Sequence, residues 1–96
     1  MTKHYVKIEL TDPEIIGPVH IAELEELDPR TCTVVRLLEQ QAGQFTGFID
    51  HGQVHGDPAV PLDTVPHPDL YASFEDITAT RLTAEEFELL WGKATS

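Results

Sequence analysis

Asp50, His51, His55, Asp57 and His67 are the residues whose types and spacing could do chemistry in this chain. Imidazole and carboxylate groups are ligands that zinc takes, and ligands gathered in or beside a loop can converge on one ion. His51 and His55 are separated as i and i+4, which on a helix puts two histidines on one face. Gly52, Gly56 and Pro58 stand in and beside that interval and oppose a helix, so the spacing loses its geometric meaning. No glutamate lies between the two histidines to act as a base. The plainer reading is a polar loop with solvent-exposed histidines and no cofactor, with zinc binding as its rival.

Other catalytic patterns fail on their own requirements. Gly43 and Gly47 are not a phosphate loop, because the lysine and the Ser/Thr that complete one are missing. Neither serine, Ser73 or Ser96, sits in a glycine-flanked nucleophile turn. Glu25-Glu26 and Glu85-Glu86 are sequence neighbours whose side chains diverge, which does not make an acid/base pair. Tyr5, Tyr71 and the four phenylalanines lack interleaved Lys or Arg, so stacking on nucleic acid is not expected.

Charge is the strongest outward signal. Seventeen acidic residues against six basic ones give a formal net charge of -11. Such a field repels nucleic acid and anionic membrane and draws in basic protein surfaces. Its densest stretch, Glu23 to Asp28, is broken by Leu24 and Leu27. That spacing fits an acidic face of a folded domain better than a solvated tail. Glu23, Glu25, Glu26 and Asp28 are therefore the candidate contacts for a basic partner. Solubility alone is the competing explanation of the charge.

The elements that must position these groups fit one domain over residues 1–96, with 41% hydrophobic residues to supply a core. Val6, Ile8 and Leu10 alternate with Lys7 and Glu9, the period of a half-buried strand. Thr11-Asp12-Pro13 and Gly17-Pro18 break the chain. Val19 to Leu24 reads as a second strand, with a helix over Ile21 to Leu27 as its rival. Thr31 to Gln40 is rich in β-branched residues, and Gln41-Ala42-Gly43-Gln44 then makes a hairpin to Phe45–Ile49. His51 to Asp69, with Gly52, Gly56, Pro58, Pro61, Pro66 and Pro68, reads as a long loop with one helical turn at Pro61–Val65.

Ile77 to Leu82 reads as an edge strand. Thr83-Ala84-Glu85-Glu86 is a capping box that opens a helix, with Phe87, Leu90, Trp91 and Ala94 on one face and Gly92-Lys93 at its end. The expected fold is α+β: an antiparallel sheet of four to five strands with a C-terminal helix packed on one face. Cys32, the single cysteine, lies in an apolar run and reads as a small buried hydrophobe. No segment has the length of apolar sequence for a signal peptide or a membrane span, and a reducing cytoplasm is the expected compartment.

Taken together, Tyr5-Val6-Lys7-Ile8-Glu9, Glu26-Leu27-Asp28 with Arg30, Val34 to Glu39, Pro61-Leu62 and Ile77 to Trp91 resemble a family of small uncharacterised bacterial domains. The resemblance implies a compact β-rich domain ending in a helix, with some members in toxin–immunity neighbourhoods and no catalytic residues to transfer. The His-rich middle of this chain is longer than the family pattern. The expected function is a non-enzymatic protein-binding domain, of the kind that inhibits a basic partner. The alternative is a small enzyme or ligand-binding accessory protein using the loop 50–67. A sheet face left uncovered by the helix would also permit a homodimer.

Overall fold

The computed structural model describes residues 2–11, 17–56 and 64–95. Among the described residues, seven strands form one antiparallel sheet: β1 (Lys3–Leu10), β2 (Val19–Asp28), β3 (Thr31–Gln41), β4 (Gln44–Asp50), β5 (Gln53–Gly56), β6 (Thr64–Pro66) and β7 (Ile77–Leu82). A 3₁₀ segment, Pro68–Ser73, joins β6 to β7, and the helix α1 (Ala84–Thr95) ends the fold. The order across the sheet is β5-β4-β3-β2-β1-β7, and β6 pairs with β3 off that path. The α+β class holds, but the sheet has more strands than the expected four to five. The extra ones, β5 and β6, come from the glycine- and proline-rich middle, where only a loop was expected. They are four and three residues long, too short to show an alternating pattern. The expected helical turn at Pro61–Val65 falls partly outside the described residues, and its last residues, Thr64 and Val65, belong to β6.

Both hairpin turns next to β4 follow from backbone chemistry. Ala42 and Gly43 have φ of 53° and 79°, and His51 and Gly52 have 48° and 86°. Two successive positive φ angles are what a two-residue hairpin turn needs to match strand twist. The β2–β3 register slips between Glu23 and Leu24, so Val35 is an extra residue in β3. The outer edge of β3 divides at this bulge. Thr31–Thr33 pairs with β6, Arg36–Gln41 pairs with β4, and the carbonyl of Val35 accepts the His51 N–H between them.

The period of two sorts the side chains onto two faces. On one face Ile21 and Leu38 meet Phe87 of α1, with Tyr5, Phe48, Leu82, Leu90 and Trp91 packed around them. Phe87 is fully buried, and burial of such a ring is worth about 1.5–3 kcal/mol. The capping box forms as expected: the Thr83 N–H donates to Glu86 Oε1 at 2.9 Å and the Glu86 N–H donates to Thr83 Oγ1 at 3.1 Å. Gly92 does not end the helix, which continues to Thr95. The Thr95 hydroxyl donates to the Trp91 carbonyl.

The opposite face is not the uncovered surface expected from sequence. Val6, Ala22, Leu24, Cys32, Leu37 and Ile49 form a second core there, and Tyr71 of the 3₁₀ segment packs into it. Val65 of β6 and Ile77 of β7 pack against it too, so the chain from β6 through the 3₁₀ segment to β7 covers part of this face. Cys32 is buried among these groups, and burial pushes its thiol pKa up, helped by the nearby negative charge of Glu26.

Candidate functional site: a histidine–carboxylate circuit

His4, Val6 and Ile8 point to the second core, as do Ala22, Leu24 and Glu26 on the neighbouring strand, because β1 and β2 pair His4 with Leu24. Glu26 is thus the diagonal neighbour of His4, and its backbone N–H closes the strand end by donating to the Thr2 carbonyl at 2.9 Å. His67 arrives from the other side. Its backbone N–H donates to the Arg30 carbonyl, and Pro68 after it opens the 3₁₀ segment that His67 caps. The three side chains converge at one end of the second core. The His67 ring is 2% exposed and Glu26 is 32% exposed.

Hydrogen bonds around this cluster close on themselves. Glu26 Oε1 lies 3.0 Å from His4 Nε2 and 2.5 Å from His67 Nε2. His67 Nδ1 accepts the Asp69 backbone N–H at 3.0 Å. Asp69 Oδ1 accepts from the Arg81 guanidinium at 2.5 Å, and Arg81 donates to His4 Nδ1 at 2.9 Å. Arg81 and a backbone N–H are donors only, so each Nδ1 is an acceptor and each ring carries its proton on Nε2. Both imidazoles then donate to the same Glu26 oxygen. The hydrogen bonds from His4 and His67 hold the Glu26 carboxyl below the usual carboxylate range. The two rings also meet edge to face, with centroids 4.6 Å apart.

A second histidine–carboxylate pair stands at the other end of the same face. His20 and Glu39 are direct cross-strand partners, with His20 Nε2 3.3 Å from Glu39 Oε1. The distance is that of an ion pair, but the alignment makes no hydrogen bond, and His20 Nε2 is buried without one. Thr46 Oγ1 donates to Glu39 Oε2 at 3.0 Å.

The histidines expected to gather in the middle of the chain are separated. His51 occupies the β4–β5 turn, exposed, with Nδ1 2.5 Å from the Asp50 carboxylate. His55 lies on β5 and stacks on Phe48, centroids 4.6 Å apart. His67 is buried with His4 and Glu26 instead. Asp57 lies outside the described residues. Among the described residues, His4, Glu26 and His67 are the only group of three or more potential metal ligands that the fold brings together. Position 67 was legible from sequence, but its neighbours were not. His4 and Glu26 lie on strands far away in sequence, and alternation with Val6 and Leu24 was the one signal that put them on a shared face.

The four carboxylates Glu23, Glu25, Glu26 and Asp28 all find partners inside the chain. Glu23 faces α1, accepts from Arg36 Nε at 2.6 Å and from the Tyr5 hydroxyl at 3.2 Å, and lies 3.7 Å from Lys3 Nζ. Burial works against its charge, but Arg36, then Lys3 and Tyr5, outweigh it and hold its pKa below the usual range. Glu25 pairs with Lys3 at 3.8 Å. Asp28 accepts the Arg30 N–H at 2.8 Å and the Thr31 hydroxyl at 2.9 Å, which ties the β2–β3 turn.

Two hollows of about 300 and 370 Å³ flank the half-exposed ring of Phe74. Their walls are apolar and hydroxyl side chains with one arginine each, Arg81 and Arg30, and no carboxylate or histidine lines either of them. An acid–base pair for catalysis is therefore absent from both walls. No helix is long and apolar enough to cross a membrane among the described residues. No family model, curated protein or solved structure matches this chain.

Proposed function

We propose that this chain is a small acidic, non-enzymatic protein-binding domain that associates with a basic partner, in the manner of an immunity-type inhibitor. The supporting observation is how its charges are distributed. Lys3, Lys7, Arg36 and Arg81 each face a carboxylate of the chain itself. The acidic excess is left over on the outside. On α1, Glu85 and Leu89 stand one turn apart on the side away from Phe87 and Trp91, and Leu89 is 69% exposed. An exposed leucine beside a glutamate without an ion-pair partner among the described residues suits a surface carrying an apolar contact ringed by Lys or Arg.

This placement differs from the Glu23–Asp28 stretch, whose carboxylates are engaged internally. The immunity-type character rests on the family resemblance and the charge together. The test is capture on the immobilised full chain, with wild type compared with a Glu85→Gln, Leu89→Gln variant. Both positions are exposed, so the double variant should fold within about 1 kcal/mol of wild type. Recovery of a basic protein by wild type, at low salt only, and its loss with the variant supports the reading. Equal recovery by both chains, or recovery of acidic proteins only, overturns it.

A further inference from the structure

We propose that His4, Glu26 and His67 bind a single divalent transition-metal ion of the zinc class, at a place unrelated to the acidic helix face. The three ligand atoms, from β1, β2 and the residue after β6, lie within 4.8 Å of one another. Two imidazoles and one carboxylate are a donor set zinc takes when it keeps a fourth position open. The site is half built by the fold: His67 is buried and fixed by its own backbone hydrogen bond, and His4 is held on a central strand of the sheet. In a tetrahedral site with bonds of about 2.0–2.2 Å, neighbouring ligand atoms stand about 3.4 Å apart. Glu26 must therefore withdraw from each ring by about 1 Å or less. It is the most exposed of the three and lies near the end of its strand.

Ligation requires each imidazole to move its proton from Nε2 to Nδ1, and the surroundings treat the two rings differently. His67 Nδ1 now accepts the Asp69 backbone N–H, which must give way, but Asp69 Oδ2 lies 3.6 Å from the same nitrogen and needs only a small shift to accept that proton. A carboxylate behind a ligating histidine is the usual orienting partner in zinc sites. His4 Nδ1 faces Arg81, which can only donate. Arg81 therefore competes with the ion, and the circuit of hydrogen bonds is the state the metal replaces. The exposed half of the Arg81 side chain lets it swing away.

The experiment is a zinc chloride titration of the full chain by calorimetry, with cobalt(II) absorption reporting four-coordinate geometry. One equivalent should bind, with tetrahedral cobalt bands. Glu26→Gln and His4→Gln should each weaken binding at least tenfold, and circular dichroism checks that both variants fold. Arg81→Ala should tighten zinc binding about three- to tenfold, the worth of one competing hydrogen bond. His51→Gln with His55→Gln should leave binding unchanged. No saturable binding, weaker binding in Arg81→Ala, or binding that survives Glu26→Gln and His4→Gln but is lost with the β4–β5 histidines, overturns the proposal.

Discussion

Arg36 is the residue whose loss the structure predicts most sharply. Its guanidinium lies 4.9 Å above the Phe87 ring and 5.0 Å from that of Trp91. It also donates to Glu23 at 2.6 Å and to Glu88 on α1. One side chain thus neutralises a glutamate that is 5% exposed and clamps the helix to the sheet. Arg36→Met keeps most of the packing volume but leaves Glu23 charged and nearly dry. Breaking a buried ion pair from one side costs about 3–5 kcal/mol. Lys3 and the Tyr5 hydroxyl still approach Glu23, which sets the expectation at the lower end, about 3 kcal/mol.

Trp91 is the only tryptophan and touches the site of change, so its fluorescence in urea reports the transition. For a domain of this size about 3 kcal/mol corresponds to a fall in Tm of more than about 12 °C. The control is Arg36→Met with Glu23→Leu, which removes both charges and should recover most of the loss. A single variant within about 0.5 kcal/mol of wild type, or a double variant as unstable as the single, would mean that Arg36 does not offset a buried Glu23 charge.

Three further outcomes are expected. The Glu23 carboxyl is held below its usual range, so the stability it contributes is present above about pH 4.5 and lost as pH falls through its lower folded value; Tm measured from pH 6 to pH 2 should fall less steeply in Glu23→Gln. Burial pushes the Tyr71 phenol up to about 12, so its neutral form is favoured in the fold. That stability is complete below about pH 10 and lost as pH rises through about 12, a difference of about 3 kcal/mol; absorbance at 295 nm should show a late ionisation coincident with unfolding and missing in Tyr71→Phe. Gly56 has φ of 77°, and a Cβ there would meet the Thr46 carbonyl oxygen at 2.7 Å; Gly56→Ala should therefore cost about 1–3 kcal/mol, read by urea unfolding, while a neutral effect would mean β5 is not paired as described.

The parts of the fold legible in sequence were those set by local chemistry. The alternation of Val6, Ile8 and Leu10, the Ala42-Gly43 turn and the Thr83–Glu86 capping box each carry their cause within a few residues. The helix alternative over Ile21–Leu27 lost because Ile21 and Leu24 serve opposite faces of the sheet, a requirement of tertiary packing that helix propensity does not register. β5 was hidden because four residues are too few to show alternation, and β6 because it is shorter still and pairs with β3, far back in the chain. The candidate site was half visible. His67 stood out by type, but its ring is satisfied by Glu26 and Asp69, and those partners follow from the β1–β2 register and the 3₁₀ turn. The acidic stretch Glu23–Asp28 was conspicuous by charge alone, whereas its role follows from what each carboxylate touches.

The proposed function rests on surplus negative charge on the outer face of α1 recruiting a basic partner. The most direct measurement is the affinity of the captured partner for wild type and for Glu85→Gln, Leu89→Gln across a salt series from 50 to about 500 mM, where the Debye length shrinks by about threefold. Wild-type affinity should fall steeply with salt, and the variant should bind more weakly with a shallower dependence. Affinity independent of salt, or the same curve for both chains, would contradict it.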